Sequence, residues 1–358
     1  MSRSSDASAR PLLVGGMHRS GTSLTASLVA SAGIDLGPEL LGANDSNPAG
    51  HFEDLGIQDF HCRALVARGL CSEGYTATSQ GEVPAALEPR ADELLAERMR
   101  PGVAWGWKEP RTTLFLDYWQ RRLPQARHMF VFRRPWEVAD SLFRRGDRTF
   151  LENPMFAFDV WAHYNRLILD FARRHPSRCV VFNITQVIAD PQRVLAEVRS
   201  RLDVPIGRPA ARYREELFSL DAGFIRATIV RGVAPEAWQT YVDLCSLAGV
   251  TDELTTQAAA EASLGECAVL EWARASRAEA DAPEVPAAPA PTVCLPFGER
   301  RGRVRRRSLA ETVRRASARS LARLAAIGRR LLPTRRIAAP DVLAFPRRVE
   351  PPSPRRVA

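Results

Sequence analysis

A short apolar run, Pro11–Gly16, leads through a glycine-framed loop into a helical stretch, Leu24–Ala32. A strand, a tight loop and a helix in this order form the first part of a β–α–β unit. Three more short apolar runs, at Val103–Trp107, Arg127–Phe132 and Arg178–Phe182, alternate with helical stretches. Since strands separated by helices favour a parallel sheet covered on both faces, the pattern predicts a three-layer α/β/α fold.

The helices between these strands are predicted from apolar periodicity and from proline near the first turn. They are Leu55–Gly69, Pro84–Met99, Thr113–Leu123, Pro135–Arg145, Met155–Arg173 and Pro191–Leu202. Three further helices, to which the sequence assigns no chemistry, are predicted at Tyr213–Leu220, Glu236–Leu247 and Gln257–Arg277.

Composition divides the chain into four parts. Residues 1–10 are polar and predicted to be disordered, whereas residues 11–280 hold the predicted strands and helices and form the folded domain. Ala and Pro dominate residues 281–298, which we interpret as an extended linker. Residues 299–358 hold 18 Arg and four acidic residues. The sequence pI of about 9.8 therefore comes from this tail, while residues 1–298 carry net negative charge.

Within the tail, residues 303–332 are predicted to form a basic amphipathic helix, because apolar residues recur at three- and four-residue spacing with Arg on the other side. Such a helix can bind an anionic membrane surface or a partner protein, and a disordered tail is the alternative. Nucleic acid is a disfavoured partner, since the domain itself is not basic. The apolar positions are Leu309, Val313, Ala316, Leu324, Ile327 and Leu331.

The composition also limits the kind of protein. Hydrophobic residues make up 45% of the chain, as in soluble globular proteins, which excludes disorder throughout. The sequence shows no apolar run of membrane-spanning length and no signal-peptide pattern, so we expect a cytoplasmic protein whose tail can reach the inner membrane face. The six Cys form no C-x-x-C pair and no zinc-binding spacing, so we expect reduced thiols and no metal site.

The loop after the first strand, Gly16–Ser23, has the Gly-x4-Gly frame of a phosphate-binding loop. Backbone N–H groups in such a frame, together with the N-terminus of the next helix, bind an anion. Nucleoside-triphosphate loops have Lys directly after the second Gly, whereas this chain has Thr22 there and a basic residue, Arg19, inside the loop. The loop therefore suits a phosphate group better than a nucleoside triphosphate with magnesium.

Two further features lie at the ends of predicted strands. Arg133 follows the strand Arg127–Phe132, and Ser141 lies on the second turn of the next helix, so both can reach one phosphate. Lys108 follows the strand Val103–Trp107 and is the single Lys among 50 basic residues. A lone Lys in an Arg-rich chain indicates a place where a compact ammonium is needed. The alternative is that this Lys has remained by chance and has no special role.

Together these stretches resemble the sulfotransferases that use 3′-phosphoadenosine 5′-phosphosulfate (PAPS). The first motif of that family, a basic residue followed by Ser-Gly-Thr/Ser, is similar to Arg19–Ser23, and the second, an Arg with a Ser eight positions later, is similar to Arg133 and Ser141. The segment Trp107–Arg111 resembles the Lys-Asp/Ser-Pro element of the tyrosylprotein and heparan branches. The resemblance covers roughly residues 11–205 and implies the P-loop-like sulfotransferase fold.

The resemblance also implies roles for the matched residues. Arg19 and Lys108 would stabilise the charge on the leaving 5′-phosphate, and Arg133 with Ser141 would bind the 3′-phosphate. The loop residues that would complete the binding site for PAPS are Arg19, Ser20, Gly21, Thr22 and Ser23. This chemistry requires no metal.

A general base should take the proton of the acceptor hydroxyl. The candidates are Glu53 and His51, with Glu109 and His18 behind them, and we favour Glu53 because related branches place a catalytic Glu after the first helix. The alternatives are a loop carboxylate or helix cap for Glu53 and a structural hydrogen bond for His51.

The chain departs from the family pattern at two places. Cytosolic small-molecule sulfotransferases have Lys where Arg19 stands, so the chain is nearest the carbohydrate and tyrosylprotein branches. Val181–Thr185 lacks the Tyr-Glu-Asp-Leu-like run often found at that strand, which leaves the adenine contacts unassigned.

The sequence thus predicts a PAPS-dependent sulfotransferase that acts on a hydroxyl of a carbohydrate or glycolipid precursor. One alternative is a phosphotransferase with a modified loop, which the absence of Lys after Gly21 disfavours. The other is a noncatalytic scaffold that carries the basic helix to a membrane or nucleic acid, which the retained Arg19, Lys108, Arg133 and Ser141 disfavour.

Overall fold

A four-stranded parallel sheet forms the centre of the fold. The computed structural model describes residues 10–43, 50–78, 81–209, 224–254 and 266–281. The strands are β1 (Leu12–Gly15), β2 (Gly106–Lys108), β3 (Arg127–Phe132) and β4 (Cys179–Asn183), in the spatial order β2-β1-β3-β4. Every pairing is parallel, which confirms the predicted sheet. Since the carboxyl ends of parallel strands share one edge, the residues that follow each strand meet there.

Helices cover the sheet and connect its strands. They are α1 (Thr22–Ser31), α2 (Leu55–Val66), α3 (Glu88–Arg98), α4 (Leu116–Arg122), α5 (Pro135–Arg145), α6 (Arg148–Glu152), α7 (Met155–Arg174), α8 (Ile184–Ala189), α9 (Pro191–Leu202), α10 (Phe224–Val233), α11 (Pro235–Leu247) and α12 (Glu266–Asp281), with 3-10 turns at Ala85–Leu87 and Pro110–Phe115.

Two hydrophobic clusters lie on opposite faces of the sheet. Leu13 of β1 packs with Trp107 and Phe130 in one cluster, whereas its neighbours Leu12 and Val14 pack in the other. Alternate residues of a strand point to opposite faces, so both faces of β1 are buried. This arrangement confirms the three-layer α/β/α prediction.

Tertiary contacts move several boundaries away from the sequence-based ones. The predicted helix Thr113–Leu123 is split into the 3-10 turn Pro110–Phe115 and α4. Thr113 Oγ1 accepts a hydrogen bond from the Gly16 N–H, and Thr112 Oγ1 accepts one from the Trp107 ring. Both threonine side chains therefore bond to residues at the ends of β1 and β2, and the segment forms a 3-10 turn there instead of a regular α-helix. The predicted strand Val103–Trp107 lies at Gly106–Lys108 instead.

Three short helices, α6, α8 and α10, have no counterpart among the predicted elements. The predicted helix Tyr213–Leu220, the first nine residues of the chain, almost all of the linker at 281–298 and the whole tail at 299–358 lie outside the described residues. Of the predicted helix Gln257–Arg277, the structure describes the part that belongs to α12. Within the described ranges, no helix combines the length and apolar character that a membrane span needs.

Candidate active site

The loop between β1 and α1 presents backbone N–H groups at the carboxyl edge of the sheet. Gly16 and Gly21 have positive φ angles of 148° and 88°, and Arg19 between them also lies in the left-handed region, at 67°. Gly21 is the N-cap of α1, and none of the described side chains caps that helix end. An uncapped helix N-terminus preceded by a tight turn is a site for an anion.

Close packing also requires these glycines. A Cβ atom at Gly21 would lie 2.3 Å from the Ile184 side chain, and one at Gly16 would lie 2.3 Å from the carbonyl oxygen of Val131. The loop is therefore pressed against the ends of β3 and β4, and this packing holds its N–H groups in place.

Replacement of Gly16 by alanine is expected to lower the free energy of unfolding by about 3 kcal/mol, because the Cβ atom would meet a strand backbone that cannot move away. Urea denaturation followed by circular dichroism measures the change. Gly33→Ala is the matched control, since Gly33 also has a positive φ angle, 99°, but its Cβ would meet nothing within 4 Å. Equal losses in the two variants would contradict this explanation.

Arg19 and Ser141 meet across the site, although 122 positions separate them in the chain. The Arg19 Nε donates a hydrogen bond of 2.8 Å to the Ser141 Oγ. The pKa of the Arg19 guanidinium is lowered by burial and by the positive charges of Arg145 and Arg133. The guanidinium groups of Arg145 and Arg133 thus lie near that of Arg19, where an anion would relieve their repulsion of its charge.

Arg133 is held at the start of α5. Its Nε donates to Glu137 Oε2 over 2.8 Å, and its carbonyl oxygen accepts a hydrogen bond of 3.1 Å from the Trp161 ring. The Arg133 side chain is 9% exposed, so a ligand that reached it would be partly withdrawn from water. Low solvent access strengthens charge-assisted hydrogen bonds.

Lys108 connects the loop to the segment that holds the candidate bases. Its ammonium donates to Ser23 Oγ at 3.2 Å, to the His51 carbonyl oxygen at 3.0 Å and to Glu53 Oε1 at 2.7 Å. Burial lowers the pKa of Lys108, and the charge of Glu53 and the hydrogen bond to it oppose this effect. A compact ammonium with three donors fits this position, which a planar guanidinium would not.

The segment that carries Glu53 is fixed on both sides. Asp54 caps α2 by accepting a 3.1 Å hydrogen bond from the Ile57 N–H, and it forms a buried ion pair with Arg98. The Glu53 carbonyl oxygen accepts a 2.7 Å hydrogen bond from the Leu41 N–H. These contacts hold the Glu53 carboxylate, which is 7% exposed, against Lys108.

The imidazole ring of His51 lies near the Glu53 carboxylate. The His51 Nδ1 lies 4.0 Å from Glu53 Oε1, and burial lowers the pKa of His51, although the charge of Glu53 opposes it. The imidazole is therefore neutral at neutral pH and able to accept a proton.

Glu109 is engaged in a buried network that the sequence did not indicate. Arg111 donates to one carboxylate oxygen and His61 Nδ1 lies 2.6 Å from the other, while Trp119 donates to His61 Nε2 over 2.8 Å. Burial raises the pKa of Glu109, but Arg111 and the His61 hydrogen bond outweigh it and hold the pKa well below its usual range. These contacts favour a structural role for Glu109 over proton transfer. No local pattern marks His61, because its partners are 48 and 58 positions away.

His18 lies inside the loop, with its ring edge-on to Tyr75 and Tyr164 at centroid distances of 5.7 and 6.4 Å. Burial and the charge of Arg111 keep its pKa well below the usual value. The sequence did not single out Tyr75, whose hydroxyl contacts Arg145 and Asp147 beside Arg19.

Two buried polar atoms of the loop show that it has room for a further hydrogen-bonding group. The Ser20 hydroxyl and the His18 Nε2 are buried and have no hydrogen-bond partner among the described residues. Buried polar atoms are normally satisfied, so these two point to a ligand or to water in this part of the loop. Among the described residues, no group of three or more His, Cys, Asp or Glu side chains is arranged to hold a metal ion.

One family of known proteins matches the chain in sequence. The sequence pattern of the sulfotransferase family matches residues 11–208, which is more than half of the chain and includes the loop, Lys108 and α5. The chain therefore belongs to the sulfotransferase family, whose members transfer sulfuryl groups. No curated protein sequence matches the chain significantly.

Solved sulfotransferase structures align with the chain at low similarity. One from Alicyclobacillus acidocaldarius is 15% identical, covers 69% of this chain and 99% of its own, and has a TM-score of 0.40. One from Mycobacterium tuberculosis H37Rv is 14% identical, with coverages of 75% and 76% and a TM-score of 0.36. The sulfotransferase domain from the curacin biosynthetic pathway is 17% identical, with coverages of 72% and 89% and a TM-score of 0.33. Family membership rests on the sequence match.

Proposed function

We propose that the protein transfers the sulfuryl group of PAPS to a hydroxyl of a carbohydrate or glycolipid precursor. The observation that carries the proposal is the meeting of Arg19 and Ser141 beside Arg133, at the uncapped N-terminus of α1. A loop with an uncapped helix N-terminus, next to a group of Arg side chains at the same sheet edge, suits a ligand that carries two phosphate groups.

The residues present fit PAPS in two groups. The backbone N–H groups of the loop, with the hydroxyls of Ser20, Thr22 and Ser23, would hold the 5′ end beside Arg19 and Lys108. Arg133 and Ser141 would hold the 3′-phosphate, and the Glu137 contact keeps the Arg133 guanidinium in place. PAPS, when bound, supplies the sulfuryl group.

Glu53 is the favoured base. Its Oε1 accepts from Lys108, and its Oε2 accepts a 3.0 Å hydrogen bond from Gln58. Each carboxylate oxygen has two acceptor positions, so each retains capacity for a proton from the acceptor hydroxyl. Lys108 would then serve both the leaving phosphate and the base, because its ammonium touches Ser23 and Glu53 together.

The acceptor class rests on the resemblance of the loop to the carbohydrate and tyrosylprotein branches. We also propose that residues 281–298 link the domain, 11–280, to a tail that binds an anionic membrane surface. The support for this is the sequence pattern alone. Vesicle sedimentation of the full chain and of a chain that ends at Asp281 tests it, and equal binding by both would contradict it.

Calorimetric titration with 3′-phosphoadenosine 5′-phosphate tests the donor proposal. The chain is expected to bind this bisphosphate with micromolar affinity, and Arg133→Ala is expected to bind it at least about tenfold more weakly, because a charge-assisted hydrogen bond is lost. Arg134 also donates to Glu137, at 3.2 Å, so that buried carboxylate keeps a partner in the variant.

Arg174→Ala is the matched control, since it removes the same charge from an exposed pair with Asp117. Preference for ATP with magnesium would favour the phosphotransferase instead. Absence of binding to the folded chain would favour the noncatalytic scaffold.

A further inference from the structure

The helix that carries Ser141, α5, packs against the C-terminal part of the described chain. α5 contacts α10, α11 and α12. These three helices lie within residues 224–281, beyond the residues 11–208 that match the family. Because α5 carries Ser141, these contacts relate the three helices to the donor site.

Asp140, the residue before Ser141, is the centre of this contact. Its Oδ1 accepts hydrogen bonds from the Trp272 ring at 3.0 Å and from the Ser276 hydroxyl at 2.8 Å, both on α12. Arg226 of α10 lies 3.1 Å from the same oxygen, and Arg144 donates to Oδ2 over 2.8 Å. Asp140 is 3% exposed, and its carboxylate thus joins α5, α10 and α12.

Asp140 remains ionised in this position. Burial raises its pKa, but the charge of Arg226 and the hydrogen bonds from Arg144, Trp272 and Ser276 outweigh burial and lower the pKa below its ordinary value. A buried carboxylate with this many donors has a narrowly defined position, because any displacement leaves charged groups unpaired.

Further contacts prevent α5 from turning about its axis. Arg134, its N-cap, donates two hydrogen bonds of 2.7 and 2.9 Å to Asp252, which also accepts one from the Tyr241 hydroxyl. At the other end, Arg277 of α12 donates to the Arg144 carbonyl oxygen over 2.9 Å. α5 is therefore anchored at its start, its middle and its end.

We infer that Asp140 is a positioning residue for the donor site, through which α10 and α12 set the place of Ser141 against Arg19. Successive residues of a helix are separated by about 100° of rotation, so the anchoring of Asp140 fixes the direction of Ser141. This inference rests on the proposed function, because the proposed function supplies the ligand that Ser141 would bind.

The test is a double-mutant cycle on binding of 3′-phosphoadenosine 5′-phosphate to the full chain. Asp140→Asn keeps the shape of the side chain and removes its charge, and it is expected to weaken binding about tenfold. In the Ser141→Ala background the same change is expected to weaken binding less than about twofold, since the group that Asp140 positions is then absent.

Val198→Ala is the control for loss of stability alone. Val198 is fully buried in α9 within the other hydrophobic cluster, so its truncation destabilises the fold and leaves α5 untouched. Thermal unfolding of all variants separates lost stability from lost binding. Where Asp140→Asn fails to fold, Ser276→Ala replaces it, because it removes one hydrogen bond to Asp140 and is expected to show the same dependence on Ser141 with a smaller loss.

Equal weakening in both backgrounds, or unchanged binding by the folded Asp140 variant, would overturn the inference and leave the donor proposal intact. Absence of bisphosphate binding by the unaltered chain would overturn both. The two failures are therefore distinguishable in one series of titrations.

Discussion

Replacement of Lys108 by methionine is expected to lower kcat by about a thousandfold while the affinity for 3′-phosphoadenosine 5′-phosphate changes little. Methionine keeps the length of the side chain and removes the ammonium that contacts Ser23 and Glu53. A buried positive charge beside the loop acts on charge that develops during transfer, and such charge is absent from the bisphosphate complex. Steady-state kinetics with calorimetry separates the two quantities.

Lys108→Arg distinguishes charge from geometry. It retains the positive charge, but a planar guanidinium cannot direct donors to Ser23 Oγ, the His51 carbonyl oxygen and Glu53 Oε1 together, so little activity is expected to return. Thermal unfolding of both variants measures the stability that is lost when Glu53 no longer pairs with the Lys108 ammonium. A methionine variant that retained more than about a tenth of kcat would contradict the role given to Lys108.

Much of the fold follows from local signals in the sequence. The strand Arg127–Phe132 and the helices Pro135–Arg145 and Pro191–Leu202 have the same bounds in the prediction and in the structure. In each helix a proline in the first turn marks the start, and in the strand a run of buried residues determines the bounds. Where tertiary contacts use the side chains, as at Thr112 and Thr113, local periodicity predicted the wrong bounds.

Some residues of the candidate site could likewise be predicted from local sequence signals, and others could not. The loop, Lys108 and Arg133 could be selected because each follows a predicted strand, and parallel strands bring their carboxyl ends together. The structure places Arg19 against Ser141 and Lys108 against Glu53, but their roles stay predictions. The contacts of Asp140 had no sequence signal, since its partners on α12 are 132 and 136 positions away and join it through packing alone.

Replacement of Glu53 by glutamine is expected to lower kcat by about a hundredfold or more, since the amide cannot take a proton. The amide oxygen can still accept from Lys108, so the arrangement of the site is expected to persist. Glu73→Gln is the control, because Glu73 is an exposed carboxylate that pairs with Arg111 outside the loop. Rates measured at saturating donor and acceptor test the difference.

His51→Asn decides between the two bases. Lys108 contacts the His51 carbonyl oxygen and not its ring, so loss of the ring is expected to leave most of kcat in place. If His51 were the base, activity would fall with decreasing pH as the imidazole became protonated, below the ordinary histidine range because burial lowers its pKa. The Asn variant would then lose both the activity and this acidic limb, while Glu53→Gln kept them. That outcome would transfer the role of base from Glu53 to His51 and leave Lys108 with the leaving phosphate alone.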